Sequence, residues 1–466
     1  MLARAFAVIA LTTSMLAAQN LDRTKAPASP PIPAFKLPPV YETKLPNGLS
    51  VVLVEDARFP LVTARLNFQA GLKFDPKDMP GLAEAVASLL NEGTKTRTAR
   101  QISEDSDALG GSLGASAGPD ALTVTGSALA ENLAKLLVLM ADISIHATFP
   151  QNEVNLHKQN RLQSLRAERS QPAFLAEEKI LQVVYGSSSY AHIGPTAESI
   201  QKLDAKALAT YRDTYLVPNN ATLLLLGKLP ARAELMQTIA QQFGAWPRKD
   251  IPAAPKMDLP APRRQIVLVD RPGSVQADIH VGRLGPTRVT SEYFPLAVGN
   301  NILGGGTNSR MFKDIRERDG YAYDAHSEYG TNRDAALISA VTEVRNEVIE
   351  PALQAVLAEM DKMATTPVPT DELSNVKNYM AGLYLLRLET QDGLASQLNN
   401  MKTLGLPNDY LETYTTRVRS VEPDQILAAA KKYLAPGQAA VIVVGDAAKI
   451  GEALKKFGDV TVTKAN

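Results

Sequence analysis

Tyr215-Leu216-Val217-Pro218-Asn219-Asn220-Ala221-Thr222-Leu223-Leu224-Leu225-Leu226-Gly227 occurs twice in this chain, in a diverged second copy. It aligns without a gap to Tyr433-Leu434-Ala435-Pro436-Gly437-Gln438-Ala439-Ala440-Val441-Ile442-Val443-Val444-Gly445. In the same register Ile200, Leu203, Asp204 and Leu208 fall on Val418, Val421, Glu422 and Ile426, so both copies read as helix, proline-containing turn and buried strand. A second block agrees: Leu90, Gly93, Thr94, Arg97 and Ile102 match Leu303, Gly306, Thr307, Arg310 and Ile315. Each copy opens on an apolar, β-rich run, Val51 to Val54 and Ile266 to Val269. An internal repeat sets the architecture before local detail does, and this one implies two homologous domains.

The proline-rich stretch from Pro247 to Pro262 divides the chain nearly in half and reads as a linker over 247–263, with domains at 41–246 and 264–466. Trp246 and the linker prolines are read as domain packing. Within the first half, Thr63 to Ala70 and Ala121 to Gly126 alternate like strands, whereas Gly81 to Asn91 and Glu153 to Ser170 read as helices. The expected class is α+β, each domain a mixed, mainly antiparallel sheet covered by helices on one side.

The 466 residues carry 49 Lys+Arg against 49 Asp+Glu, without the basic excess that binding a phosphate backbone requires. Nucleic acid and a charge-driven membrane surface are therefore not expected partners. With no Cys, the chain has no disulfide, thiolate metal site or Cys nucleophile, so a metal would need its five His or its carboxylates. Residues 1–18 have a basic start, a short apolar run from Ala5 to Leu11 and small residues near Ala18, the pattern of a secretory signal. No other segment approaches the roughly 20 apolar residues of a bilayer span. Residues 19–40, with Pro27, Pro30, Pro31, Pro33, Pro38 and Pro39, read as a tether. The expected location is the periplasm of a Gram-negative cell.

No Rossmann fingerprint or P-loop is present, since Gly304-Gly305-Gly306 is not followed by Lys-Ser/Thr. Four stretches instead carry a resemblance. They are Leu45-Pro46-Asn47-Gly48-Leu49 with the strand after it, Gly81-Leu82-Ala83 through Gly93-Thr94, the segment Leu303 to Tyr323, and the repeated block at Tyr215 and Tyr433. Their order over residues 41 to 450 resembles the pitrilysin and mitochondrial processing peptidase family, the inverzincins. The resemblance implies a fold that forms half of a clamshell. It also implies an H-x-x-E-H helix, whose two His hold zinc and whose Glu is the general base, with a third carboxylate ligand further on.

Here the five motif positions are Glu84, Ala85, Val86, Ala87 and Ser88, and the third ligand position falls near Ser164. None of His146, His157, His192, His280 and His326 makes a pair at ligand spacing, so no metal is expected in this chain. The second domain departs less. Arg316 and Tyr323 in Ile315-Arg316-Glu317-Arg318-Asp319-Gly320-Tyr321-Ala322-Tyr323 keep the spacing of the family's Arg and Tyr that bind the substrate carbonyl and steady the oxyanion. By spacing alone, Arg316 could equally be a solvated helix residue and Tyr323 ordinary strand packing. Gly304, Gly305 and Gly306 are candidates for close approach to a peptide backbone, the alternative being a plain helix end. Asp324, His326 and Glu328 alternate along a strand and read as a solvated face.

The resemblance therefore implies the non-zinc subunit of a heterodimeric zinc peptidase, inactive alone. Arg316 and Tyr323 would complete a zinc site on an H-x-x-E-H partner of similar size, with a peptide as substrate. The alternative is a non-catalytic scaffold or peptide-binding protein that keeps the peptidase fold. A metal-free hydrolase has no candidate nucleophile with a positioned base.

Overall fold

The computed structural model describes residues 33–465; the secretory signal expected at 1–18 and the start of the expected tether lie outside the described residues. The first sheet is built from β1 (Val40–Lys44), β2 (Ser50–Glu55), β3 (Leu61–Phe68), β4 (Ser112–Ala117), β5 (Leu122–Leu129) and β6 (Ala221–Gly227), in the order β1-β2-β6-β3-β5-β4. The second holds β7 (Gln265–Asp270), β8 (Gln276–Gly285), β9 (Ala322–Thr331), β10 (Ala336–Arg345), β11 (Ala440–Gly445) and β12 (Val460–Lys464), in the order β12-β7-β11-β8-β10-β9. Strand for strand, β2-β6-β3-β5-β4 repeats as β7-β11-β8-β10-β9. Only the outermost strand differs: β1 is antiparallel to β2, whereas β12 is parallel to β7. Both sheets are mixed and mainly antiparallel, and the fold is α+β.

The helices of the first half are α1 (Leu82–Leu89), α2 (Ala99–Asp107), α3 (Leu133–His146), α4 (Gln151–Arg169), α5 (Pro172–Tyr185), α6 (Ala197–Lys202), α7 (Ala205–Tyr215) and α8 (Arg232–Phe243). Those of the second are α9 (Tyr293–Gly304), α10 (Ile349–Thr365), α11 (Thr370–Glu389), α12 (Gln391–Leu404), α13 (Tyr410–Arg419), α14 (Pro423–Tyr433) and α15 (Ala447–Lys455). The aligned polar pair of the repeat starts equivalent helices: Asp204 accepts from the Ala207 N–H at 2.7 Å ahead of α7, and the Glu422 N–H donates to Gln425 at 2.8 Å ahead of α14. A 3-10 turn then leads into β6 and β11 from Pro218 and from Pro436. Asn47 donates to the carbonyls of Phe243 and Trp246 at 2.7 and 3.1 Å, joining the β1–β2 turn to the end of α8. Trp246 closes the first core edge-on to Phe68, with ring centroids 5.9 Å apart.

Helices cover both faces of each sheet, not one, because β6 and β11 are apolar at almost every position and neither face can meet water. One face is covered by helices of the same half. The other is covered by a helix of the opposite half. Ile180 and Val184 of α5 pack on Val267, Ala440 and Ile442, and Leu175 and Ala176 on Val269 and Val444. Reciprocally, α12 lies on β3 and β6, its Leu394, Ala395, Leu398 and Met401 in one cluster with Val52, Val54, Leu224 and Leu226. By the repeat, α5 and α12 are the same helix. Polar bonds fix the seam: Asn67 donates to Thr403 at 3.1 Å, Gln391 to the Asp56 carbonyl at 2.9 Å, and Arg65 pairs with Asp392.

Truncating either exchanged helix should therefore cost a full core cavity. Ile180→Ala and Leu398→Ala, each at a position 1 % exposed, should each lower the free energy of unfolding by about 2–5 kcal/mol, read from urea midpoints.

Candidate functional site

Arg316 and Tyr323 come together from two elements. Phe312–Arg318 winds as a π-helix, closed by the Asp319 N–H donating to the Asp314 carbonyl at 3.1 Å. A π turn is wider than an α turn, and such turns recur at functional sites. Here it stacks Arg316 over the Phe312 ring at 4.4 Å, while Tyr323, at the start of β9, places its own ring 5.2 Å from the same guanidinium. Phe312 is buried, Arg316 half-buried and Tyr323 87 % exposed, so the pair rises from a fixed base to the surface.

Charge sets Arg316 apart from its neighbours. Arg310 makes a bidentate pair with Glu372 at 3.0 and 2.6 Å, and Arg318 meets Asp314 and Asp319, each at 2.8 Å. Among the described residues Arg316 has no carboxylate partner. Ring stacking stabilises a guanidinium without consuming its donors, so all five stay free for a carbonyl or carboxylate.

The glycine run divides in two. A Cβ on Gly304 would meet the Ser327 N at 2.1 Å, so this glycine lets the end of α9 press on β9. Gly305 and Gly306 line a cavity of about 680 Å3 with Ser309, Lys313, Glu372 and Tyr379; Arg316 and Tyr323 do not line it. Along β9, His326 bridges two carboxylates, Asp324 at 2.7 Å and Glu328 at 3.4 Å. Both hold the imidazole above its ordinary range, against a downward push from burial.

The positions matching the first-domain motif lie on α1. Its start is fixed by Asp75, which accepts from the N–H groups of Gly81 and Ala83 at 2.7 and 2.8 Å. Gly81 adopts φ 88°, and a Cβ there would meet Pro195 at 2.5 Å, so only glycine allows this entry into the helix. Ala85, Val86 and Ala87 point into the core, while Glu84 and Ser88 face outward. Glu84 faces Arg161 of α4, with Nε 3.3 Å from its carboxylate, and Arg161 Nη1 meets both Glu168 oxygens at 3.0 Å. Ser164, one turn along α4, is exposed. Sequence reading missed Arg161, although it lies three residues before Ser164, and it missed Phe312 as the base of Arg316.

Two family profiles match in tandem. The profile described as "Insulinase (Peptidase family M16)" covers residues 50–193, and "Peptidase M16 inactive domain" covers residues 202–380. The chain belongs to peptidase family M16. This M16 chain is 21 % identical to an uncharacterized zinc protease of Bacillus subtilis over 85 % of this chain and 96 % of that one. An uncharacterized zinc protease of Rickettsia felis is 25 % identical over 74 % of this chain and 83 % of its own. Among solved structures, a peptidase M16 inactive domain from Pseudomonas fluorescens superposes with a TM-score of 0.81 at 26 % identity, over 87 % of this chain and 98 % of the other. A protease from Helicobacter pylori shares the fold at the same TM-score and 19 % identity, over 88 % and 100 % of the two chains.

The family implies zinc, and the α1–α4 residues of this M16 chain do not fit it. Glu84 is the one carboxylate among the motif positions; Ala87 offers no base and Ser88 no imidazole. A guanidinium already occupies the space between α1 and α4. Among the described residues no group of three His, Asp or Glu is placed to hold a metal.

Arg161→Met should lower stability by roughly 1–2 kcal/mol, between the values for exposed and buried ion pairs, and a chelator should leave the melting temperature of the wild-type chain unchanged. A pH effect follows from Asp75. Burial pushes its carboxyl up to about 7, whereas in the unfolded chain it ionises near 3.9. The folded chain thus holds an extra proton between about pH 4 and 7, and this group's contribution to stability falls as pH rises across that window. Asp75→Asn should flatten that slope in denaturant midpoints taken from pH 4.5 to 7.5.

Proposed function

We propose that this chain is the non-zinc subunit of a heterodimeric, periplasmic zinc peptidase. It supplies Arg316 and Tyr323 to a zinc site held by an H-x-x-E-H partner of similar size. The observation that carries this reading is an asymmetry of charge between the two halves of the repeat. In the first half the family's metal position is filled by the Glu84–Arg161–Glu168 ion triad. In the second, Arg316 is half-buried, stacked on rings and without a carboxylate partner among the described residues, beside an exposed phenol.

Those two side chains suit one task. The guanidinium fork binds the carbonyl oxygen of the scissile peptide bond, and the Tyr323 hydroxyl donates to the same oxygen as it takes up negative charge. The partner's zinc supplies the activated water, and this chain orients the carbonyl toward it. Gly305 and Gly306 border a neighbouring cavity, and in this reading it takes the flanking peptide backbone. Export through residues 1–18 would place both subunits in one compartment.

Arg316→Ala should reduce turnover by the purified pair about a hundredfold or more, with heterodimer assembly unchanged in gel filtration. Undiminished turnover would sink the role of Arg316 and favour a scaffold or peptide-binding protein with the peptidase fold.

A further inference from the structure

Arg283 stands on β8 at a position only 7 % exposed. Its Nη2 donates to the side-chain carbonyl of Gln438 at 2.9 Å. Nε and Nη1, which carry three of the five N–H donors of a guanidinium, are buried with no hydrogen-bond partner among the described residues. No carboxylate of those residues pairs with it either. Burial accordingly pushes this guanidinium down from its ordinary range. A buried cation without a counter-charge is among the most costly arrangements in a protein interior, and buried donors are normally bonded.

Arg283 lines a cavity of about 110 Å3 at the place where the linker joins the two halves. The end of α5 borders it from the first half, Pro260 to Arg263 from the linker, and Arg283 with Gln438 from the second half. Its charged groups are Arg263 and Arg283, and no Asp, Glu or His lies on the lining. Arg263 is exposed at the rim and pairs with no carboxylate among the described residues. The next residue, Arg264, donates to the Pro436 carbonyl at 3.2 Å and is likewise without an acidic partner, and burial pushes it down. Three guanidinium groups thus gather at one small space that the described chain leaves without negative charge.

We infer that this cavity binds a small tetrahedral oxyanion, phosphate or sulfate. Guanidinium groups bind the oxygens of such ions through paired N–H donors, and the buried Arg283 holds its donors ready for them. Two lining guanidinium charges, with a third beside them, match a divalent ion better than a single carboxylate. The amides of Gln265 and Gln438 share the lining and can serve the remaining oxygens. The space suits one small ion with its nearest waters. The bound ion neutralises Arg283 and ties the linker to both halves, so it acts on the seam and not on the peptide chemistry at Arg316. The inference does not depend on the reading of the chain as a peptidase subunit.

The test is calorimetric titration of the full chain, in chloride buffer at constant ionic strength, with inorganic phosphate, sulfate and acetate. Phosphate or sulfate should bind saturably and raise the melting temperature by about 2 °C or more, and the tighter of the two is assigned as the ligand. Acetate should bind at least about tenfold more weakly. Arg283→Met should weaken the oxyanion at least about tenfold. Arg263→Ala, at an exposed position, should weaken it about threefold, while Lys256→Ala, exposed in the linker and outside the cavity, should leave it unchanged. Circular dichroism checks that each variant is folded, and if Arg283→Met does not fold, the Arg263→Ala titration decides. No saturable binding of either tetrahedral ion, or binding unchanged by Arg283→Met or by Arg263→Ala, would overturn the inference. Acetate binding as tightly as phosphate would also overturn it and assign the cavity to a carboxylate.

Discussion

The structure depends on the exchange of one helix between the two halves of the repeat. Both central strands are apolar on both faces, and in each half the second face is covered by a helix of the other. The uncovered face of the first sheet is sealed by α12 and that of the second by α5. Neither half can therefore complete its burial alone, and apolar area removed from water is the dominant favourable contribution to folding. The seam is also polar and specific. Asp120 accepts from Lys73 at 3.1 Å and from the Arg333 N–H at 2.8 Å, and it receives the Tyr190 hydroxyl, while Lys73 also pairs with Asp334 at 3.0 Å. These bonds join the β4–β5 turn of one half to the β9–β10 turn of the other.

Because the halves are locked together, their differences become functional. The two loops that follow α1 and α9 are repeats of each other, and Arg97 and Arg310 serve the same end in both, as paired structural arginines held by Asp105 and Asp142 and by Glu372. Beyond that equivalence the halves diverge in electrostatics. Arg161 in the first half is paired with two carboxylates of its own chain, hydrogen-bonded to Glu168 and in ion-pair contact with Glu84. Arg316 in the second is held by rings, which stabilise the cation and leave its hydrogen-bonding edge unspent. A guanidinium of the first kind binds a fold together, and one of the second kind can bind a substrate.

The seam that fixes these sites also creates a space. Residues that line a cavity of about 370 Å3 come from β9 and β10 of one half and α5 of the other, so the cavity exists only because α5 has crossed over. Glu328 of its lining and Tyr323 beside Arg316 both lie on β9, whose alternate residues Asp324, His326 and Glu328 share one face.

By itself the sequence determined the repeat, the strand and helix types, and the family. These rest on local regularities that survive in one dimension: the doubled helix-turn-strand block, consecutive apolar runs, and the spacing of Arg316 and Tyr323. It also showed that Ala87, Ser88 and Ser164 cannot serve zinc, since ligand chemistry is a property of the side chain. Only the tertiary structure decided that helices cover both faces of each sheet, that Arg161 stands between α1 and α4, and that Phe312 carries Arg316 on a π turn. Each of these joins residues distant in the chain or depends on a hydrogen-bond register, and neither leaves a periodic trace in the sequence. Asp120 and Arg333 lie on different halves of the repeat, and nothing short of the folded seam brings them to hydrogen-bonding distance.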